Sequence, residues 1–265
     1  MKTFKGKTAL VTGASSGIGL ALARALAKQG AHLVITARSE DKLNEIAGEL
    51  RKEGVEVHVF RSDLSQKDAA VQLFEQVEQA GLRVDLLVNN AGFGKWGEFL
   101  EVSRERYEQL IQLNITALTE MCHLFIPGML ARGEGGIINV GSTASFIPVP
   151  YAAVYSATKG YVMLFTEALQ GEYGQRGLSC MTLCPGGTET NFATVANPDV
   201  KLKATDFKDS PEFVAGACLK AFLRGDLYVI PGAGNQVVAY LPRILTRKMA
   251  LKVVTDNWKK TIGRN

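Results

Sequence analysis

Apolar positions along this chain follow two alternating rhythms. Short runs rich in β-branched residues give way to longer stretches whose apolar positions recur at helical spacing. The first run, 8–12, predicts a strand, and 17–29 a helix closed by Gly30. Strand 32–36, helix 39–52, strand 55–60 and helix 66–80 follow. The series continues with strand 85–89, one long helix over 103–126, strand 136–140 and helix 154–173. Strand 179–183, helix 210–223 and strand 227–230 complete it.

Several of these strands are apolar at every position, as in Leu33-Val34-Ile35, Leu86-Leu87-Val88 and Ile137-Ile138. Such strands suit a parallel sheet covered by helices on both faces. Seven strands alternating with helices predict an α/β protein with a doubly wound, parallel, seven-stranded sheet, the Rossmann fold. No internal repeat or Pro/Gly-rich linker divides the sequence, so residues 1–265 read as one domain. Two regions break the rhythm: 191–209, expected to form a substrate loop, and 232–265, expected to form a C-terminal helical extension.

Composition narrows the class. With 46% hydrophobic and 21% charged residues, the chain can bury a large core and is not disordered. Its net charge of +4 is spread thinly, with no basic run resembling a nucleic-acid arm, so no nucleic-acid partner is expected. Four cysteines, three histidines and no CxxC pair argue against a metal site and for reduced, buried thiols in a cytoplasmic protein. No signal peptide is expected at the start, and no apolar stretch reaches the roughly 18 residues of a membrane span.

The first predicted strand runs directly into Thr12-Gly13-Ala14-Ser15-Ser16-Gly17-Ile18-Gly19, and a helix begins there. Gly13 allows a tight turn, Gly17 lets backbone approach a pyrophosphate, and Gly19 lets helix and strand pack closely. Unpaired N–H groups at the helix start attract phosphate. The GxxxGxG spacing resembles the short-chain dehydrogenase/reductase family, and further segments match in order along nearly the whole chain. Asn89-Asn90-Ala91-Gly92 follows the fourth strand, Asp63-Leu64 follows the third, and Pro185-Gly186 follows the sixth. The resemblance implies that Ser15, Ser16, Ile18, Asp63, Leu64, Asn90, Ala91 and Gly92 join the three glycines in holding a dinucleotide. Asp63 is then expected to bond the adenine. Pro185 and Gly186 would flank the nicotinamide, with Thr188 and Thr190 on its carboxamide or the phosphates. Each segment alone has a plain structural reading as a turn or a cap; their joint order favours a site.

The cofactor expected is NADP(H). NAD-binding sheets of this kind place a carboxylate at the end of the second strand to bond the ribose hydroxyl. Here that stretch reads Ile35-Thr36-Ala37-Arg38-Ser39, with no carboxylate at the strand end. A guanidinium at Arg38 suits a 2′-phosphate; the plainer reading is a surface arginine.

Hydride transfer to a carbonyl leaves charge on oxygen, which calls for a proton donor and a polarising hydrogen bond. Tyr155-Ser156-Ala157-Thr158-Lys159 sets a phenol and an ammonium on one helix face. The cation is expected to lower the phenol's pKa. By the same resemblance, Tyr155 is general acid in reduction, Ser142 polarises the carbonyl, Lys159 binds the nicotinamide ribose and tunes Tyr155, and Asn114 holds a relay water. Ser145 and Tyr151 are weaker candidates for substrate contact.

For the substrate, Phe93, Trp96, Phe146, Ile147 and Phe192 predict an apolar pocket, hence an apolar carbonyl or alcohol; capping the core or packing a dimer would explain them equally. Lys201 and Lys203 fit either an acidic substrate group or a solvated loop. The tail resembles a family subset, related to the 3-ketoacyl and 17β-hydroxysteroid enzymes, with a basic, apolar extension. A cover over the cleft or a subunit contact is the preferred reading of it, and peripheral membrane contact the minority one. The family implies a homo-oligomer through helices 103–126 and 154–173. An NAD-linked alcohol dehydrogenase and a non-catalytic NADP sensor are the competing readings.

Overall fold

Strand β1 (Thr8–Thr12) lies between β2 (His32–Ala37) and β4 (Leu86–Asn89), and the sheet runs β3-β2-β1-β4-β5-β6-β7. The remaining strands are β3 (Val57–Arg61), β5 (Gly135–Val140), β6 (Leu178–Leu183) and the short β7 (Tyr228–Val229). All six pairings are parallel. This is a computed structural model that describes residues 1–192 and 209–261, apart from the side chains of 241–244, 260 and 261. Most of the 191–209 region, including Lys201 and Lys203, and residues 262–265 lie outside the described residues, as do the side chains of Leu241, Arg243 and Ile244.

Helices α1 (Gly17–Lys28), α2 (Glu40–Leu50) and α7 (Pro211–Arg224) cover one face of the sheet. On the other lie α3 (Ala69–Gln79), α5 (Leu118–Ala131) and α6 (Ala153–Tyr173). The apolar strands explain why both layers exist, because alternate residues feed opposite cores. Leu33, Ile35, Leu86 and Ile138 pack with Leu22, Leu26 and Phe222. Their neighbours Val34, Leu87 and Ile137 pack with Leu73, Met121, Phe125 and Val162. Burying a leucine, isoleucine or phenylalanine side chain contributes about 1.5–3 kcal/mol, so slipping any strand by one residue would cost both layers at once.

Two predicted elements differ. The helix at 66–80 begins only at Ala69, because Asp68 takes a left-handed backbone (φ 61°) and Asp63 folds its own loop into a turn first. The long helix at 103–126 is two helices, α4 (Arg104–Ile111) and α5, joined by a π-helical segment over Gln112–Ala117. Ser103 caps α4 by accepting from Arg106 N–H, as a helix-start serine should. The tail forms α8 (Ala233–Ile244) and α9 (Arg247–Thr261).

Since every strand points the same way, one edge of the sheet collects all the strand C-termini. The chain runs out from β1 to β3 and restarts at β4, opening a crevice between β1 and β4 where ligands bind in such sheets.

Candidate active site

The turn after β1 carries Gly13 at φ 65° and Gly17 at φ 57°, backbone that side chains disfavour. A β-carbon at Gly19 would strike Gly13 O and the Asn90 amide. Ser16 is the exposed N-cap of α1 and makes no side-chain cap bond, so the first helical N–H groups are left available to an anion. Ser15 is partly buried beside it, and Ile18 packs against the core below.

Thr12, which sequence reasoning did not single out, ties the first and fourth strand ends together. Its buried Oγ1 accepts from Asn90 N–H at 3.0 Å and Ala91 N–H at 2.9 Å. Asn90 Nδ2 donates back to Thr12 O at 2.9 Å and Gly13 O at 3.3 Å. Asn90-Ala91-Gly92 and the glycine turn are therefore one rigid unit. Beneath it, Asn89 Nδ2 donates to Asn139 Oδ1 (2.9 Å), and Asn139 Nδ2 to Thr166 Oγ1 (2.9 Å). That buried polar chain fixes β4 and β5 against α6, where a satisfied network is rigid.

The π segment sets Asn114 inward. Its Oδ1 accepts from Phe93 N–H at 3.2 Å, and its Nδ2 donates to Phe93 O at 3.0 Å and Thr158 Oγ1 at 3.2 Å. A β-carbon at Gly92 would lie 3.1 Å from Asn114 Oδ1 and 3.7 Å from Lys159 Nζ, so any larger residue there would crowd both groups.

Ser142, just past β5, accepts from Ala144 N–H at 3.1 Å, and its hydroxyl lies close enough to the Tyr155 phenol to draw the phenol's pKa down. Ser145 emerges as a brace: its Oγ accepts from Ser142 N–H (3.2 Å) and donates to Lys159 O (2.8 Å). The Lys159 ammonium, buried, donates to Val140 O at 2.7 Å and sits 5.7 Å from the Tyr155 ring centre. Ser142, Tyr155, Lys159 and Asn114 thus converge at the crevice from β5, α6 and the π segment.

Electrostatics there correct one expectation. Burial pushes the Tyr155 phenol up to about 12, and the Ser142 hydroxyl only moderates this. Burial likewise brings Lys159 down to about 8. Desolvation disfavours both charged forms, and the ammonium is committed to Val140 O, so the lysine does not lower the phenol in this structure. A consequence can be measured. Between pH 8 and 10.5 the unfolded chain keeps a proton on Lys159 that the folded chain has released. Stability therefore rises with pH across that window. The buried cysteines, pushed up by burial, act the opposite way, and all but Cys184, whose thiol the Lys159 charge also lowers, do so equally in a Lys159→Met variant. In urea unfolding, wild type should gain about 2 kcal/mol on that variant between pH 8 and pH 10; parallel pH profiles would contradict the buried ammonium.

At the end of the crevice expected to hold adenosine, Arg38 is exposed just beyond β2, its carbonyl accepting from Arg61 Nε at 3.1 Å. Asp63 spends its carboxylate on its own loop, accepting from Ser65 N–H (3.1 Å) and Ser65 Oγ (2.7 Å). Burial raises its pKa, but those bonds, Gln66 and the Arg38 charge outweigh it and hold the group below the usual carboxylate range. Leu64 is buried in the core beside it. At the other end, Pro185 O accepts from Thr143 N–H (2.9 Å), and Thr190 rests against Gly17. Thr188 donates to Gly186 O and pairs with Asp209. A side chain on Gly186 would run into Asn235 of α8, whose amide also donates to Asp209 Oδ2 (2.8 Å) and Pro231 O (3.0 Å).

The predicted apolar pocket forms in part. Trp96, Ile147 and Phe192 gather around Tyr155, with Trp96 and Phe192 ring centres 6.1 and 5.9 Å from it. Phe146 instead turns to Tyr228 and Tyr240, and Phe93 lies under the Arg106 guanidinium at 3.9 Å. In their place stands Trp258 of α9, stacked on Trp96 at 6.4 Å and 17°. Tyr151, at φ 63°, shapes the loop by accepting from Gly97 N–H.

Comparison with known proteins decides the family. The model of the short chain dehydrogenases matches residues 7–201. The chain belongs to the short-chain dehydrogenase family. It is therefore an oxidoreductase. It is 30% identical over 258 residues to the very-long-chain 3-oxoacyl-CoA reductase of Homo sapiens, covering 94% of this chain and 80% of that one. With the ketoacyl reductase HetN of Nostoc sp. it shares 32% over 223 residues, 83% of this chain and 77% of that one. A short-chain dehydrogenase from Sphingobium yanoikuyae, solved in complex with NADPH, superposes with a TM-score of 0.79 at 30% identity, covering 97% and 96% of the two chains.

Proposed function

We propose that this short-chain dehydrogenase reduces the carbonyl of an apolar substrate, in the first place a 3-oxoacyl thioester, with NADPH as the hydride donor. The observation that carries the reading is the convergence of the Ser142 hydroxyl, the Tyr155 phenol and the Lys159 ammonium beside a glycine turn built for phosphate. The names of the relatives and the NADPH complex support the substrate class and the cofactor.

The residues fit a dinucleotide. The turn at Gly13 and Gly17, the uncapped start of α1 and the Ser15 and Ser16 hydroxyls suit a pyrophosphate. Arg38 suits a 2′-phosphate, and Asn90, Gly92, Lys159, Pro185, Gly186, Thr188 and Thr190 surround the place of the nicotinamide half. Bound NADPH supplies the hydride. Ser142 donates a hydrogen bond to the substrate carbonyl and polarises it, and Tyr155 passes its proton to the oxygen as charge develops there. A phenol with a pKa near 12 keeps that proton until it is needed. Lys159 orients the ribose and restores the phenol's proton, drawing on a water held at Asn114.

Trp96, Phe192 and Trp258 form the apolar wall and exclude water. Trp258→Ala should raise KM for a long-chain 3-oxoacyl thioester by about tenfold with little change in kcat, since one aromatic contact contributes on the order of 1 kcal/mol beyond its area. The decisive screen follows NADPH oxidation across aliphatic, aromatic and steroid ketones and acyl thioesters. Turnover of the apolar members with NADPH supports the reading; turnover confined to small polar ketones, or none, contradicts it. We further place the chain in the reducing cytoplasm, in keeping with four buried free thiols. We propose a homo-oligomer through α4 and α6, where Ile111 and Leu164 are exposed; light scattering would measure it.

A further inference from the structure

The tail presents two different faces. Inward, Ala250, Val254 and Trp258 of α9 repeat at one helical spacing; Ala250 is buried and Trp258 meets Trp96 at the cleft. Outward, Lys248, Lys252 and Lys259 share the opposite face and are exposed, flanked by Met249 (54% exposed) and Val253 (44%). On α8, Val237 (63%) and Val238 (52%) face solvent, while Ala239 is buried. Exposed large apolar side chains are thus concentrated where the chain is most basic.

Charge separates the tail from the body. Residues 232–265 hold seven basic residues and one acidic, against 30 and 26 in the whole chain, so this segment is net +6 and the rest net −2. Among the described residues no helix is long and apolar enough to cross a membrane. Met249 and Val253 beside a lysine stripe on α9, with Val237 and Val238 exposed on α8, match a helix pair lying in the headgroup region, where apolar burial and attraction to anionic lipid act together.

We infer that α8 and α9 dock this enzyme peripherally on an anionic bilayer, with α9 lying between the lipid and the substrate cleft. A membrane-partitioned ketone would then reach Trp258 and Trp96 without crossing bulk water. The docking itself does not depend on which carbonyl is reduced.

The test is flotation of the full-length protein with phosphatidylcholine vesicles and with vesicles that also contain phosphatidylglycerol. The protein should float with the anionic vesicles only, and raising salt from about 0.1 M to about 1 M should release it. Lys248→Gln/Lys252→Gln/Lys259→Gln should weaken partitioning on the order of 100-fold, since each lysine near an anionic surface contributes severalfold. Val237→Ser/Val238→Ser should also reduce it. Both variants should keep wild-type turnover of a water-soluble ketone in vesicle-free buffer, which separates lost docking from lost folding. Absence of binding, or binding that ignores lipid charge and both variants, overturns the inference. So does a valine variant that leaves flotation intact but dissociates an oligomer in light scattering, because the face would then belong to a second copy of the chain.

Discussion

Tyr155→Phe should reduce kcat by about 10³–10⁴-fold, toward the upper part of the range for a positioned proton donor, while the Kd for NADPH changes by less than about threefold. The substitution removes one oxygen and leaves the ring packed between Trp96 and Phe192. Lys159 keeps its bond to Val140 O, and Ser142 keeps its brace from Ser145. Cofactor fluorescence titration and single-turnover kinetics measure the two quantities. Residual turnover above about a tenth of wild type would assign the proton to another group. Equal losses of binding and turnover would mean that the phenol organises the pocket instead of doing chemistry in it.

Arg38→Asp should lower kcat/KM with NADPH on the order of 100-fold and reverse the preference toward NADH. A charged hydrogen bond to phosphate contributes about 1.5–3 kcal/mol, and the new carboxylate both repels the 2′-phosphate and offers an acceptor to a ribose hydroxyl. The fold should tolerate the change. Arg38 is exposed, among the described residues its guanidinium makes no hydrogen bond, and the bond from Arg61 reaches its backbone carbonyl, which any residue supplies. Steady-state kinetics with both cofactors decide it; unchanged discrimination would leave Arg38 an ordinary surface arginine.

Much of this molecule was legible from local pattern. Strands apolar on both faces announced the two-layered parallel sheet, and parallel strands bring the ends of β1, β4, β5 and β6 to one edge whatever the loops do. Gly13 and Pro185, which resemblance to the family assigned to one site, therefore lie at the same edge of the sheet. Three features lay beyond such reading. The π segment around Asn114 interrupts no apolar periodicity, so nothing at 112–117 marks it. The phenol's pKa depends on what encloses it: spacing placed an ammonium on the right helix face, but burial set the outcome. Trp258 meets a residue far from it in sequence, and only tertiary approach reveals that pairing. The Thr12 bridge could have been suspected, since a threonine that follows the apolar run Ala9-Leu10-Val11 needs buried hydrogen-bond partners.

Asn235 gives the tail a mechanical role. Wedged against Gly186 and bonded to both Asp209 and Pro231, it keys the root of the helix pair into the turn proposed to flank the nicotinamide. The pair cannot rock outward without dragging on that turn. Asn235 thus joins the Tyr240 and Trp258 ring contacts in anchoring the helix pair to the body of the enzyme.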